Sequence, residues 1–143
     1  MPRKTRCRRV EISPGTTSFV PLNKRMDNMD DMVLTLEELE AMRLRDIEGL
    51  TQQECAERME ISRQTFQNII DSARKKVAVA LINGLSITIK GGYFKFPYCE
   101  IECRSCHAIY SVQYPQDRKV CPICNSSRVY CNNMHKCYRW CEK

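Results

Sequence analysis

Apolar residues recur with helical periodicity through the middle of the chain and stop where a glycine or a capping residue stands. Phe66, Ile69, Ile70, Ala73, Val77, Ala80 and Leu81 keep the spacing of one helix face, which predicts a long helix capped by Ser62 and closed by Asn83-Gly84. Upstream, Leu36, Leu39, Met42 and Ile47 share a face that ends at Gly49, and Cys55, Ala56 and Met59 make a shorter stripe. Thr35-Leu36-Glu37-Glu38 and Thr51-Gln52-Gln53-Glu54 are capping boxes, in which the threonine hydroxyl and the glutamate each satisfy an orphan amide of the first turn. Three helices are therefore expected, with only Glu60 and Ile61 between the second and the cap of the third.

A supporting helix, a short helix, a tight turn and a longer helix form the helix-turn-helix arrangement. With the apolar stripe turned inward, Gln64, Asn68, Asp71 and Lys75 face outward, Gln67 lies at their edge, and Ser62 and Arg63 occupy the first turn. Gln and Asn pair with adenine and Arg with guanine, while a helix N-terminus attracts phosphate, so this face suits double-stranded DNA. An ordinary solvated face is the plain alternative. Arg8 to Ile12 and Leu85 to Lys90 read as short strands, with Gly91-Gly92 breaking the second. If they pair, Arg3, Lys4, Arg6, Arg8 and Arg9 come beside the long helix to meet phosphates or a minor groove; otherwise they form a solvated tail.

Beyond residue 92 the pattern changes from helical periodicity to cysteines, eight of the ten lying at or after Cys99. Cys103-Arg104-Ser105-Cys106 and Cys121-Pro122-Ile123-Cys124 are two Cys-x-x-Cys knuckles separated by 14 residues. Two residues between cysteines let one tight turn present both sulfurs to one ion, and four thiolates suit tetrahedral zinc, the spacing of a zinc ribbon. Rubredoxin-type iron uses the same knuckles and would be coloured. A hairpin is expected between them, because Ile109, Val112 and Tyr114 form a β-rich run and Asp117 marks a turn before Val120. Cys131, His135, Cys137 and Cys141 make a second ligand set, with Cys99 as a spare; a metal, a free thiol group or a redox disulfide would account for it. His107 is read as a surface residue, with donation to a knuckle sulfur as the alternative, and Tyr110, Tyr114, Tyr130, Tyr138 and Trp140 as cover for a small core, with stacking on bases as the alternative.

A disulfide framework is the competing use of ten cysteines. No apolar signal core follows Met1-Pro2-Arg3-Lys4 and no apolar run is long enough to span a bilayer, so a cytoplasmic setting with reduced thiols and no membrane partner is expected. The net charge of +6 is segregated: residues 1–26 carry +6, residues 27–60 carry −8, residues 61–98 carry +5 and residues 99–143 carry +3. Four thiolates on one zinc lower the total to about +4.

Two resemblances follow from these residues. Leu50 through Phe66, Leu-Thr-Gln-Gln-Glu-Cys-Ala-Glu-Arg-Met-Glu-Ile-Ser-Arg-Gln-Thr-Phe, resembles the region-four DNA-binding helices of sigma factors. Arg6 to Val10, Val33 to Ala41, Ser62 to Phe66 and Ala73 to Ala78 resemble the uncharacterised protein family 0251, also called domain of unknown function 134, over roughly residues 1–92. That resemblance implies a prokaryotic, DNA-binding protein. Glu60 stands where such turns commonly carry glycine, which requires either a left-handed glutamate or a turn of another shape. Cys55 stands where a small apolar residue is usual and is read as a core filler.

The sequence thus predicts a mainly α helix-turn-helix domain with a basic N-terminal arm over residues 1–92 and a small β zinc-ribbon domain over residues 93–143. A transcription regulator holding zinc is the expected function, with RNA polymerase and a second copy of the chain as further candidate partners. An adaptor docking on RNA polymerase, suggested by the acidic first helices, an RNA-binding protein, and a metal- or redox-sensing regulator are the alternatives. No carboxylate pair, activated nucleophile or phosphate-cradling glycine loop marks an enzyme.

Overall fold

The computed structural model describes residues 3–23 and 30–132. Its chain divides into two compact units, Val10–Gly92 and a second that joins Met1–Arg9 to Tyr93–Lys143. The boundary after residue 92 is the expected one, but the first nine residues belong with the cysteines and not with the helices.

In the Val10–Gly92 unit the helices start where their caps predict. Following β1 (Arg8–Arg9) of the other unit, β2 (Ser18–Phe19) and β3 (Asp31–Leu34) lead into α1 (Leu36–Met42), whose capping box joins Thr35 and Glu38 in both directions. A π-helical turn, Arg43–Ile47, prolongs α1, with the Glu48 amide donating to the Arg43 carbonyl at 3.0 Å. The extra residue rotates the face: Leu44 enters the core, and Ile47, expected inside, is 81 % exposed.

The second capping box opens α2 (Gln52–Arg58), and Ser62 caps α3 (Arg63–Asn83) by accepting from the Thr65 amide at 3.1 Å. Between them Glu60 takes the left-handed conformation, φ 59°. Its amide donates to the Glu57 carbonyl and that of Ile61 to the Ala56 carbonyl, the paired bonds that close a helix with a left-handed residue. The core beneath this turn comprises Ala41, Leu44, Cys55, Ala56, Met59, Phe66, Ile69 and Ile70, so Cys55 is the filler its position predicted. After Ala73, α3 outruns that core: Ala80 stays buried, but Leu81, expected on the buried stripe, is 75 % exposed.

Gly84, φ 63°, turns the chain into β4 (Ser86–Ile89). This strand does not pair with the N-terminal arm. It is the centre of a three-stranded sheet, antiparallel to β2 and parallel to β3, with Leu34 opposite Ile89. A unit expected to be mainly α is therefore mixed.

Within the acidic segment Glu37, Glu38 and Glu40 turn inward, while Asp30, Asp31, Asp46, Glu48, Glu54, Glu57 and Glu60 are exposed. Glu38 is 5 % exposed and accepts from the Thr35 amide at 3.1 Å, the Ser72 hydroxyl at 2.7 Å and Lys76 Nζ at 2.7 Å, tying α1 to α3. Glu40 accepts from the Glu11 amide and Arg43 Nε, both at 2.6 Å, and Glu11 in turn pairs with Arg58.

The second unit begins with β1, which runs parallel to β5 (Phe94–Lys95), Arg8 opposite Phe94 and Arg9 opposite Lys95. The Cys7 amide donates to the Gln113 carbonyl at 2.8 Å, which fixes the arm to the cysteine-rich segment. A sheet follows in the order β7-β6-β8, from β6 (Glu100–Cys103), β7 (Ile109–Ser111) and β8 (Val129–Cys131), all antiparallel. The hairpin thus brackets the first knuckle instead of lying between the two. The stretch toward Val120 is a 3-10 turn, Pro115–Arg118, because Pro115 offers no amide and buried Asp117 takes the amides of Gln113 and Tyr114 at 3.0 and 2.9 Å. Phe94, Phe96, Ile101 and Val112 make the small core.

One prediction tests the inward carboxylates. Burial opposes the charged form of Glu38, but Lys76, Ser72 and Thr35 outweigh it and hold its pKa below the ordinary 4.5. Its ionised form therefore stabilises the fold above that pH, and the contribution disappears as pH falls through the lowered value. Glu38→Gln should cost roughly 1–3 kcal/mol at neutral pH and progressively less as pH is lowered through the depressed pKa, read from urea unfolding of the helical signal. An equal loss at every pH would show that the charge is not what matters.

Candidate metal centre and helix face

Both knuckles are built alike. In the first, the Cys103 amide donates to the Ala108 carbonyl at 3.0 Å and the His107 amide to the Cys103 carbonyl at 2.9 Å. In the second, the Cys121 amide donates to the Ser126 carbonyl at 2.8 Å and the Asn125 amide to the Cys121 carbonyl at 2.9 Å. Each turn closes through a left-handed residue after its second cysteine, His107 and Asn125, both with φ 60°. Sequence reasoning set His107 aside as a surface residue, and its side chain is exposed, but its backbone closes the knuckle. Position immediately after the second cysteine was the available signal for both.

The turns bring four sulfurs together. Cys103, Cys106, Cys121 and Cys124 place their Sγ atoms within 4.8 Å of one another, Cys103 to Cys124 at 3.5 Å and Cys106 to Cys121 at 3.7 Å. A tetrahedron with metal–sulfur bonds of about 2.3 Å has edges of about 3.8 Å, so the quartet fits a four-coordinate ion, whereas a disulfide needs about 2.05 Å. Cys103 and Cys121 are buried; Cys106 and Cys124 are exposed.

The thiols differ in acidity because they share one small space. Amides of Cys106 and Ser105 aimed at Cys103 hold it down to about 6 despite the cost of burial. At Cys124 the Ser126 amide lowers the pKa, but desolvation and the bonds to Cys103, Cys106 and Cys121 win and push it up to about 12. One sulfur ionises readily and the next resists; a divalent cation removes that resistance.

The other expected ligands are arranged differently. Cys99 is buried in a turn, where its sulfur accepts from the Phe96 amide at 3.3 Å, and it is not part of the quartet. Cys131 lies in β8 opposite Ile101. His135, Cys137 and Cys141 lie outside the described residues, as do Tyr138 and Trp140. Tyr110, Tyr114 and Tyr130 are half-buried in the cysteine-rich unit.

On α3, Ser62, Arg63, Gln64, Asn68, Asp71 and Lys75 are exposed and Gln67 is half-buried. Gln64 Nε2 donates to Asn68 Oδ1 at 3.1 Å and Gln67 Nε2 to Asp71 Oδ1 at 2.8 Å, bonds between successive turns of one face. The Ser62 hydroxyl is engaged as the cap. Of the arm, Arg3, Lys4 and Arg6 are exposed and Arg8 and Arg9 half-buried, and all five belong to the cysteine-rich unit, whereas they were expected to join the helical one. Of the Glu11, Glu40, Arg43 and Arg58 network only the Glu40–Arg43 pair was legible locally, since Glu11 lies 29 residues from Glu40 and 47 from Arg58.

The family model described as "Protein of unknown function DUF134" matches residues 1–97. This chain belongs to the DUF134 family. A UPF0251 protein of Clostridium botulinum (strain Loch Maree / Type A3) is 55% identical over 143 residues, covering 99% of this chain and 91% of that protein. Another, from Clostridium novyi (strain NT), is 52% identical over 144 residues, covering 100% and 98%. No solved structure matches. The DUF134 match stops ahead of both knuckles, yet the likeness to these UPF0251 proteins runs through them. Among the described residues of this DUF134 chain, no helix is long and apolar enough to cross a membrane.

The quartet predicts one tightly held, colourless divalent ion per chain at these cysteines. Cys121→Ser should abolish that binding and unfold the knuckles while the helical circular dichroism persists, because the helical core draws on none of these residues. Elemental analysis finding a folded, metal-free ribbon would rule the site out.

Proposed function

We propose that this protein is a DNA-binding regulator of transcription that reads duplex DNA with α3 and uses zinc to fold its cysteine-rich segment. The observation that carries the reading is the outer face of α3. Arg63, Gln64, Asn68, Asp71 and Lys75 are exposed along one side of a helix that follows α2 through a four-residue turn, Met59 to Ser62. Amides at the first turns are the groups that recognise adenine, and Arg63 at the N-terminus suits guanine or phosphate. Asp71 either accepts from cytosine or marks where the helix leaves the groove. The resemblance to sigma region four supports the same assignment of α2 and α3.

Zinc is the ion that four thiolates in a tetrahedral quartet favour. Four protein ligands leave no open coordination position, so the metal folds the ribbon and does not activate a substrate. The adaptor reading draws on the acidic segment of the first two helices, in which Glu37, Glu38 and Glu40 are buried while Asp46, Glu48, Glu54, Glu57 and Glu60 are exposed.

Duplex binding by Gln64→Ala, Asn68→Ala and Lys75→Ala across a salt series tests the proposal, using sites selected from a random pool. The two amide variants should lose roughly 1–3 kcal/mol on the selected site and relax preference at one position. Lys75→Ala should weaken every sequence alike and reduce the salt slope by about one. If all three bind every duplex as the parent does, α3 is not the reader.

A further inference from the structure

Assigning residues 1–9 to the cysteine-rich unit redistributes the charge of the molecule. Thirteen of the 23 lysines and arginines, but only four of the 17 acidic residues, fall in Met1–Arg9 and Tyr93–Lys143, a net +9. The Val10–Gly92 unit, which carries α3, holds the remaining ten basic and 13 acidic residues and is net −3. Four thiolates and a divalent ion lower the first figure by about two and leave it strongly basic.

The cations of this unit are also held in place. Arg6 lies over the Tyr114 ring, its Cζ 5.8 Å from the centroid, while its Nη2 donates to Gln113 Oε1 at 3.0 Å. Arg104, inside the first knuckle, lies over the Tyr130 ring at 4.7 Å. Arg3 and Lys4 extend the first position, and exposed Arg128 adjoins the second, its carbonyl accepting from the Arg104 amide at 2.8 Å. A guanidinium lying on a ring keeps its N–H edge turned outward and has already given up part of its rotamer freedom, so it meets an anion at less entropic cost than a free side chain. One face of each ring is thereby taken by an arginine. In the helical unit, by contrast, Arg43, Arg58, Arg74 and Lys76 are committed to Glu40, Glu11, Asp46 and Glu38.

We propose that the zinc-ribbon unit is a second, sequence-independent DNA-binding surface, in which Arg6 and Arg104, held on Tyr114 and Tyr130, bind backbone phosphates of duplex DNA. The proposal deepens the DNA-binding reading by dividing the labour: α3 discriminates sequence, and the ribbon supplies most of the electrostatic attraction. It also makes that attraction metal-dependent, since Gln113 and Tyr114, to which the arm is fixed, lie between the two knuckles.

The test uses the full-length, metal-loaded chain and a short duplex of arbitrary sequence, with the double variant Arg6→Ala, Arg104→Ala beside Gln64→Ala. Metal content and circular dichroism are measured first to establish that the double variant is folded, and a double Arg→Lys variant reports whether positive charge suffices. The double alanine variant should bind every duplex on the order of tenfold more weakly at low salt, with the slope of log K against log salt reduced by about two, and the lysine variant should restore most of both. Unchanged affinity and slope in the folded alanine variant overturns this proposal even if Gln64→Ala loses its preferred site. Loss in the arginine variant with none in Gln64→Ala leaves the ribbon surface standing and removes α3 as the reader. A loss on RNA of equal length that is absent on the DNA duplex overturns the choice of partner.

Discussion

Four sulfurs within 4.8 Å of one another cannot all be thiolates without a cation among them, and every other feature of the cysteine-rich unit is arranged around that constraint. Left to themselves, amides ionise Cys103 early, at about 6, and Cys124 resists to about 12. A divalent ion at the quartet would replace mutual repulsion with attraction to a common centre, and its binding free energy would become folding free energy. Little else of comparable strength is present: a few buried apolar side chains, three strands of three or four residues, and a 3-10 turn closed by Asp117. The N-terminal arm would share that dependence, because its Cys7 amide is anchored on Gln113 between the knuckles.

The helical unit meets a different constraint, the burial of charge. Glu38 and Glu40 are nearly inaccessible, and each is surrounded by donors from a distant part of the chain. Such groups contribute little by replacing hydrophobic contacts, but removing one partner leaves an uncompensated buried charge. Ser72 and Lys76 therefore fix the position of α3 against α1, and the Glu11 and Arg58 pair fixes the start of the unit against α2. The outer face of α3 is presented at a defined angle because its inner flank is held by ions as well as by Phe66, Ile69 and Ile70.

What was legible in the sequence was local. Capping boxes, the Ser62 cap and the Gly84 exit each depend on residues within one turn of each other, and helix starts and ends fell where those signals stood. The knuckles were legible for the same reason, two cysteines per turn. The π-helical turn was not, since an added residue in a helix leaves the amino-acid pattern intact and shifts only the face, sending Leu44 in and Ile47 out. Strand pairing failed for another cause. Two-residue strands carry no register information of their own, so whether Arg8-Arg9 meets Ile89 or Phe94 is decided by which partner already has an edge open. With β2 and β3 on either side, β4 had none.

That misplacement matters because it concealed where the charge is. Read as a linear chain, the arm and α3 look like one basic surface interrupted by an acidic block. In the folded chain the acidic block and α3 share a unit of net −3, and the arm joins a ribbon of net +9. A reading helix on an acidic body gains discrimination from base edges but little attraction from phosphates, whereas a basic ribbon gains attraction without discrimination. Neither unit alone meets both requirements of a sequence-specific DNA-binding protein. On the proposed DNA-binding reading, joining the two in one chain would raise the effective concentration of each at the duplex, so that modest contacts on both would combine into an affinity that neither would reach by itself.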